Sequence, residues 1–270
     1  MEQKKLKQAA DFLKDSKSLY DLMAGRNVSD FRKITQFKNW TIGDVFGHLY
    51  LLNIAAVKTL ESSAEFDNFF NPILEKLWAG HSFLQAQTPL LKHYDELELF
   101  EIWWESSLDV NEKYSNTDPK KRVKWAGPEM SARSSVTARQ METWAHGQEV
   151  FDCLGAIRND GDHIQNIIHL GVATFCWTFT NRKLPVPGKI PYISLTLPSG
   201  RLVTYNEESN SSFVKGSGVE FCQIVTQTRN VLDTSIKCHG KIASAWMSLA
   251  QCFAGKPEDP PDKGQRFREI

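Results

Sequence analysis

The stretch Trp40-Thr41-Ile42-Gly43-Asp44-Val45-Phe46-Gly47-His48-Leu49 decides how the first half of this chain folds. Thr41 is a favoured helix N-cap residue, and Asp44 stands three positions later, where its carboxylate completes a capping box. Apolar residues then recur at helical spacing towards Leu60, so we predict that a helix begins here. His48 lies in the middle of this helix among apolar neighbours, which predicts a buried imidazole.

Three further amphipathic segments accompany this helix in the sequence. Apolar stripes predict a first helix over residues 6–22, a third over 86–112 and a fourth from about 134 to 155. The polar segment 113–128 contains two prolines and reads as a loop between the third and fourth helices. Four helices connected in this way predict a helical bundle.

The hydrophobic period changes near residues 184–188, which read Leu-Pro-Val-Pro-Gly. A further helix over 163–180 precedes this stretch, and alternation with period 2 after it predicts a hairpin over 192–205. A strand, a helix, a second strand and a closing helix follow, at 212–215, 219–229, 234–238 and 242–253. We therefore predict three regions, which are a bundle with its following helix over 1–183, a small α+β domain over 184–255 and a disordered tail over 256–270.

The composition argues against several classes of function. Thirty-two basic side chains balance 32 acidic ones, which gives no electrostatic reason to expect nucleic acid or an acidic membrane as a partner. No apolar run approaches the roughly 18 residues of a transmembrane helix, and the N-terminal segment lacks the apolar core of a signal peptide. The five cysteines form no CxxC pair, and four sit in apolar contexts. We therefore expect a cytoplasmic protein with reduced cysteines, and the sequence carries no signal for an oligomeric state.

Glu142 and His146 stand four residues apart on the fourth predicted helix. At about 100° per residue they lie only about 40° apart on one face, one turn above the other. Such a pair can chelate a metal but does not complete a site, and His48 can supply a third ligand from another helix. Two histidines and one carboxylate leave one position open, as in catalytic zinc sites. Spacing alone also allows a hydrogen-bonded helix pair and a core histidine.

Two motifs resemble those of a known family. Residues 40–49 resemble the W-T-x-x-D-x-x-x-H-L signature of DinB-like proteins, and residues 139–149 are similar to the second signature of the mycothiol-dependent maleylpyruvate isomerase family. Residues 125–131 and 137–148 resemble one uncharacterised branch of that family, and the similarity covers nearly the whole chain. The resemblance implies a DinB-like four-helix bundle that binds a metal, followed by a small α+β sterol-carrier-protein-like domain.

The same resemblance implies roles for individual residues. His48, Glu142 and His146 would hold a divalent metal, zinc. Glu149 falls where the family has Asp, and it either orients His146 or lies on the helix surface. Arg229 corresponds to an arginine in the family's second domain and would bind a substrate carboxylate. The residue before it is Thr228, where the family has Gly. The alternative role of Arg229 is that of a cation at a helix C-terminus.

The reaction that the resemblance implies uses a small thiol, which binds the metal and attacks an electrophilic carbon of a small-molecule substrate. We therefore expect an isomerase or transferase that acts on a small unsaturated acid, with mycothiol or another thiol as cofactor. Lysine outnumbers arginine about two to one, which is unlike the high-GC bacteria that use mycothiol. A hydrolase with metal-activated water and a non-enzymatic metal- or ligand-binding protein are the alternatives. Arg139, one turn before Glu142, either pairs with an acid of its helix or binds substrate.

Overall fold

The computed structural model describes residues 6–269, so the first five residues of the predicted region 1–183 and the last residue of the predicted tail lie outside it. Contacts between Cα atoms divide the chain into two units, Met1–Ala156 and Ile157–Ile270. Within the described range, none of the helices combines the length and the apolar character needed to cross a membrane.

The first unit is helical. Its described helices are α1 Lys7–Met23, α2 Val28–Phe31, α3 Ile42–Glu61, α4 Ser63–Trp78, α5 Phe83–Leu91, α6 Glu96–Ser115 and α7 Ala132–Cys153. The four longest, α1, α3, α6 and α7, pack against one another as a bundle, which confirms the predicted architecture. Helices α4 and α5 pack together and against α3 on its outer side.

An apolar core holds the four long helices together. Phe46 of α3 packs edge-on against Phe100 of α6 and is tilted against Trp103, with ring centroids 5.1 and 4.8 Å apart. All three side chains are buried, as are Leu19 of α1 and Val150 of α7. Full burial of one such side chain contributes about 1.5–3 kcal/mol, so this cluster is a main source of the bundle's stability.

The structure differs from the predicted helices in two places. The predicted helix 86–112 is two helices, α5 and α6, because Asp95 caps a new one: its Oδ1 accepts the N–H groups of Leu97 and Glu98, both at 2.9 Å. Helix α4 was absent from the prediction, and it buries Phe66, Phe70 and other apolar residues despite Pro72 within it. The predicted loop 113–128 begins with the last turn of α6, which ends at Ser115, and contains the short strand β1 Arg122–Val123, which pairs antiparallel with β2 Met130–Ser131.

The second unit combines helices with a four-stranded sheet. Its elements are α8 Gln165–Ala173, α9 Phe175–Thr180, β3 Tyr192–Thr196, β4 Leu202–Tyr205, β5 Phe213–Ser217, α10 Gly218–Val225, β6 Lys237–His239 and α11 Lys241–Met247. The strand order is β4-β3-β5-β6, in which β3 and β5 are parallel and the outer pairs antiparallel. The predicted α+β character of this part is confirmed.

The division between the units lies at 156/157, whereas the sequence placed it at 183/184. The reason is that α8 packs against α10 of the second unit. Gly171 of α8 permits this close approach, since a Cβ there would lie 2.9 Å from Cγ2 of Val225. The helices of residues 165–180 therefore belong with the sheet rather than with the bundle.

The predicted disordered tail has defined partners in the structure. It forms no helix or strand between Lys256 and the last described residue, but the Asn230 side chain donates to the carbonyl of Pro261 at 2.8 Å. The N–H of Gly264 donates to the Asp233 carboxylate at 2.9 Å. Because these groups belong to the same unit, the tail runs along that unit instead of projecting from it.

The five cysteines are free. Cys153, Cys222 and Cys252 are buried, whereas Cys176, which the sequence placed in an apolar context, is exposed on α9. Burial raises the pKa of the Cys238 thiol to about 11. A thiol with so high a pKa is a poor nucleophile at neutral pH.

Candidate metal centre

The start of α3 positions the first histidine. The Thr41 hydroxyl accepts the N–H of Asp44 at 3.0 Å, and the Asp44 carboxylate accepts the N–H of Thr41 at 2.9 Å, so the predicted capping box is present. The preceding loop is held by Thr35, whose N–H and hydroxyl both donate to the carbonyl of Trp40, at 2.8 and 2.9 Å. This fixed start sets the face of α3 on which His48 lies.

Three side chains converge between α3 and α7. One carboxylate oxygen of Glu142, Oε2, lies 3.6 Å from Nε2 of His48 and 3.5 Å from Nε2 of His146. A ligand atom from each residue lies within 4.8 Å of the other two. The structure therefore brings together the three residues that the sequence singled out, and we call them the triad.

Aromatic rings surround the two imidazoles. The ring of Trp40 lies parallel to that of His146 at 5.9 Å and edge-on to that of His48 at 5.3 Å. Phe37 approaches His146 edge-on at 5.0 Å, and Phe83 of α5 approaches His48 in the same way at 4.6 Å. These apolar rings hold the imidazoles in place and keep water away from the triad on that side.

The surroundings set the charges of the triad. Burial lowers the pKa of His48 to about 4, although the interaction with Glu142 opposes the shift. Burial raises the pKa of Glu142, but its interactions with His146 and His48 outweigh that effect and hold the pKa well below the usual range. At neutral pH the site therefore presents a carboxylate beside a neutral imidazole of His48, which are the protonation states that a metal ion requires.

A second set of polar groups lies on α3, α6 and α7, and we call it the bonded layer: Asn53, Ser106, Ser107, Tyr114 and Ser135. The Asn53 amide donates to both serine hydroxyls of α6 at 3.1 Å. The Tyr114 hydroxyl donates to the carbonyl of Ala56 at 3.0 Å and shares a hydrogen bond with Ser135 at 2.7 Å. All five residues are buried, so the layer consists of polar groups that satisfy one another inside the bundle.

Arg139 lies between the bonded layer and the triad on α7. Its side chain is 1% exposed, and its Nε donates to the Asn53 carbonyl oxygen at 3.3 Å. Burial lowers the pKa of Arg139 to about 10, and the negative charge of Glu142 opposes that shift. The guanidinium makes no ion pair within 4.0 Å with an acid among the described residues, so the interpretation of Arg139 as the partner of a helix acid is not supported.

The two remaining predicted residues have the following environments. Glu149 is 2% exposed, which excludes the interpretation as a solvated surface acid. Arg229 is half-buried in the second unit and donates to the carbonyl of Thr228 at 2.7 Å. It does not end a helix as predicted, because α10 stops at Val225 and Gln227 takes a left-handed conformation with φ 59°. Arg229 is therefore not a cation at the C-terminus of α10, which was its alternative role.

Several residues near the triad were not identified from the sequence. Phe37 and Phe83 come from a loop and from α5, whose position against α3 follows only from tertiary packing. Asn53 carried a weak signal, since it is the one amide in the apolar run of α3 and lies five positions after His48. A buried amide at such a position indicates a polar partner on a facing helix.

Sequence comparisons agree with this geometry. Residues 15–151 match the family described as the mycothiol maleylpyruvate isomerase N-terminal domain. Uncharacterised proteins from two strains of Mycobacterium tuberculosis are each 31% identical to this chain over 256 residues, which span 95% of this chain and 97% of the relative.

Structural comparison extends the similarity beyond the bundle. The crystal structure of a mycothiol-dependent maleylpyruvate isomerase and that of a mutant of it each align with a TM-score of 0.51. The sequence identities are 14% and 13%, and each alignment covers 81% of this chain and 87% of the other. At this identity the match shows a shared fold. The family match and the long alignment to the mycobacterial proteins together show that this chain belongs to the mycothiol maleylpyruvate isomerase family, in an uncharacterised branch of it.

Proposed function

We propose that this protein is a metal-dependent, thiol-dependent enzyme that isomerises, or adds a thiol to, a small unsaturated acid. In this proposal His48, Glu142 and His146 hold one divalent metal, zinc, and a small thiol takes the open position. Mycothiol is the thiol named for the family, and another low-molecular-weight thiol is equally compatible with these residues. Membership of the family and the shared fold support an enzyme of the isomerase type.

The observation that carries the proposal is the convergence of the triad. A four-coordinate zinc with bonds of about 2.0–2.1 Å holds its ligand atoms about 3.4 Å apart. The two separations from Glu142 to the histidines, 3.6 and 3.5 Å, are close to that value. Two imidazoles and one carboxylate from the protein leave a fourth position for a ligand, so the residues present fit a catalytic metal.

The surroundings of the triad suit such chemistry. A metal bound there lowers the pKa of a coordinated thiol and so supplies a thiolate at neutral pH. Trp40, Phe37 and Phe83 exclude water from one side of the site, which strengthens electrostatic interactions within it. Glu142 retains 23% of its side-chain surface exposed, so the triad has access to solvent on its carboxylate side.

The proposed reaction on an acid such as maleylpyruvate balances without an oxidant. The thiolate sulfur forms a bond to one alkene carbon, and the π electrons move onto the conjugated carbonyl oxygen. The former double bond can then rotate. Return of the electrons expels the thiolate and restores the double bond in the trans form. If a proton reaches the α-carbon first, the thioether is the product and the enzyme is a transferase.

Two further residues belong to this proposal. Glu149 is buried on the helix that carries His146 and would orient that imidazole as the metal binds. Arg229 would hold a carboxylate of the substrate with its planar guanidinium, which suits bidentate contact with a carboxylate. Family resemblance supports the Arg229 assignment, and Arg229 lies four residues beyond Val225, the last residue of α10.

The test is turnover of maleylpyruvate by zinc-loaded protein in the presence of mycothiol, cysteine or glutathione, in separate reactions. Proton NMR would follow the conversion of the cis to the trans alkene, and mass spectrometry would detect a thioether. We expect conversion that requires one of the thiols and that is lost in Glu142→Gln. A variant of the exposed His81, His81→Ala, serves as the control and should retain the activity of the wild type.

The alternatives give different results. Consumption of an ester or amide substrate in thiol-free buffer would contradict the proposal and favour a hydrolase. Absence of turnover with every thiol, together with no thiol affinity in the zinc-loaded protein, would contradict it in favour of a binding protein.

A further inference from the structure

The guanidinium of Arg139 is the least satisfied charged group of the bundle interior. Its side chain is 1% exposed, and Nη1 and Nη2 are buried without a hydrogen-bond partner among the described residues. Only Nε is engaged, by the Asn53 carbonyl oxygen at 3.3 Å. A guanidinium carries five N–H donors and stays charged, so four donors of a buried cation are left without acceptors.

The neighbouring hydroxyl groups are bonded to partners other than Arg139. Ser106 and Ser107 already accept the Asn53 amide and donate to the carbonyl of Trp103 at 2.7 and 2.9 Å. The Tyr114 hydroxyl is likewise committed to Ala56 and Ser135. A buried cation that finds one acceptor among the described residues, beside hydroxyl groups that are bonded to other partners, indicates that the missing acceptor is a bound ligand.

A second unsatisfied group lies one turn along α7. The hydroxyl of Thr143 is buried, with no partner for Oγ1 among the described residues, and its side chain is fully buried. Arg139 and Thr143 are four residues apart, which places them on the same helix face. Glu142 is three residues from Arg139 and its charge interacts with the guanidinium, so Arg139 lies beside the triad. A guanidinium with a neighbouring hydroxyl is a donor set for a carboxylate.

The charge balance favours an anion at this position. The negative charge of Glu142 interacts with Arg139, although burial has the larger effect on Arg139 and lowers its pKa. A divalent metal on the triad would neutralise Glu142 and leave the cationic Arg139 beside a second positive charge. Since a buried charge is retained only when it is paired, the metal-loaded site calls for an anionic ligand.

We propose that Arg139, with Thr143, binds a carboxylate of the small ligand inside the bundle, next to the triad. This inference rests on the proposed function for the identity of the ligand, an unsaturated acid, and it adds a binding group that is independent of Arg229. Arg139 would hold one carboxylate of the substrate, and so fix the distance between that carboxylate and the carbon attacked by the thiol.

The probe is sodium maleate, a small unsaturated dicarboxylate, titrated into the full chain by calorimetry at constant ionic strength. The titration is made on the metal-free protein and again on the zinc-loaded protein. We expect one maleate per chain and a dissociation constant that rises by about tenfold or more in Arg139→Met, since the lost contacts involve a charged group. Arg139→Lys should also bind more weakly, because it keeps the charge but lacks the planar fork.

Matched variants separate Arg139 from other cations. Arg133 is exposed on the same helix, so Arg133→Met should bind maleate as the wild type does. Thr143→Val preserves the shape of the side chain and should weaken binding by a few-fold. In wild-type protein labelled with ¹⁵N-arginine, maleate should shift one buried Nε resonance that is absent from Arg139→Lys; this observation does not depend on the stability of Arg139→Met.

The results that overturn the inference are distinct from those that overturn the proposed function. Equal maleate affinity in wild type and Arg139→Met, or loss of binding in Arg229→Met alone, contradicts a role for Arg139, and so does absence of maleate binding in both metal states. If the protein takes up no metal but binds maleate through Arg139, this inference is supported and the proposed metal-dependent function is contradicted.

Discussion

The bonded layer lies on α3, α6 and α7, and the triad lies on α3 and α7. The two sets differ in how their polar groups are satisfied. In the bonded layer Asn53 and Tyr114 have partners for each of their side-chain polar atoms. Around the triad, Nδ1 of His48 and the terminal nitrogens of Arg139 are buried and have no partner among the described residues. The atoms compared are buried in both sets, so solvent exposure does not explain why one set has hydrogen-bond partners and the other lacks them.

The contrast distinguishes buried polar groups that stabilise the fold from buried polar groups that bind a ligand. A buried polar group that finds its partner within the chain contributes to stability and specifies helix register. A buried group that lacks a partner lowers stability, and at a binding site the ligand can supply that partner. The bonded layer should therefore govern folding, and the triad with Arg139 should govern binding.

The largest effect on stability is expected from Asn53→Ala. This change removes the donor to Ser106 and Ser107 and the Asn53 oxygen that accepts the Arg139 Nε–H. Because buried partners are left unsatisfied, we expect the free energy of unfolding to fall by about 3 kcal/mol. Urea unfolding monitored by circular dichroism measures it. The exposed Asn68 on α4 provides the control, and Asn68→Ala should change stability by less than about 0.5 kcal/mol. Equal effects of the two variants would contradict the structural role of the bonded layer.

A smaller effect is expected from Tyr114→Phe. The lost hydroxyl donates to Ala56 and shares a hydrogen bond with Ser135, so the unfolding free energy should fall by about 1–2 kcal/mol. A double-mutant cycle with Ser135→Ala should give a coupling of at least about 0.5 kcal/mol, because the two hydroxyls are in contact. Strict additivity of the two substitutions would show that this hydrogen bond contributes nothing.

The smallest effect on stability at neutral pH is expected at the triad itself. In metal-free protein at pH 7, His48→Gln should change the unfolding free energy by less than about 1 kcal/mol, since the imidazole is neutral and its Nδ1 has no partner. In acid the unfolding free energies of the wild type and His48→Gln should diverge. Burial holds the pKa of His48 at about 4 against 6.5 for an unperturbed histidine, so the unfolded state takes up the proton first as the pH falls.

The wild type should therefore lose stability between pH 6.5 and 4 that His48→Gln does not lose. Unfolding titrations of both metal-free proteins across this range test the prediction. A wild type that gained stability relative to the variant on acidification would mean that His48 is protonated in the fold.

Local signals in the sequence were sufficient for much of the fold and for two of the three triad residues. The capping box of Thr41 and Asp44 predicted the start of α3, and the four-residue spacing of Glu142 and His146 placed them on one face of α7. Their approach to His48 did not follow from spacing, because it depends on how α3 packs against α7. The family signatures supplied that information.

The remaining features depend on tertiary contacts that local patterns do not encode. Asp95 and Glu98 form a capping box that marks the start of α6. The apolar stripe continues on both sides of this box, however, and so suggested a single helix. The assignment of α8 to the second unit depends on the close contact of Gly171 with Val225. The shortage of acceptors around Arg139 is a property of three packed helices, so no single segment could reveal it.

The central claim is that the triad is a metal site, and the zinc affinity of the purified protein tests it most directly. Zinc would be titrated into metal-free protein against a chromophoric chelator, with His48→Ala, His146→Ala and the exposed-residue control His81→Ala in parallel. We predict one tightly bound zinc in the wild type and in His81→Ala. In the two triad variants the zinc affinity should be lower by more than about 100-fold, because removing a ligand should weaken binding more than removing a group that only orients a ligand. Equal zinc affinity in all four proteins would contradict the account.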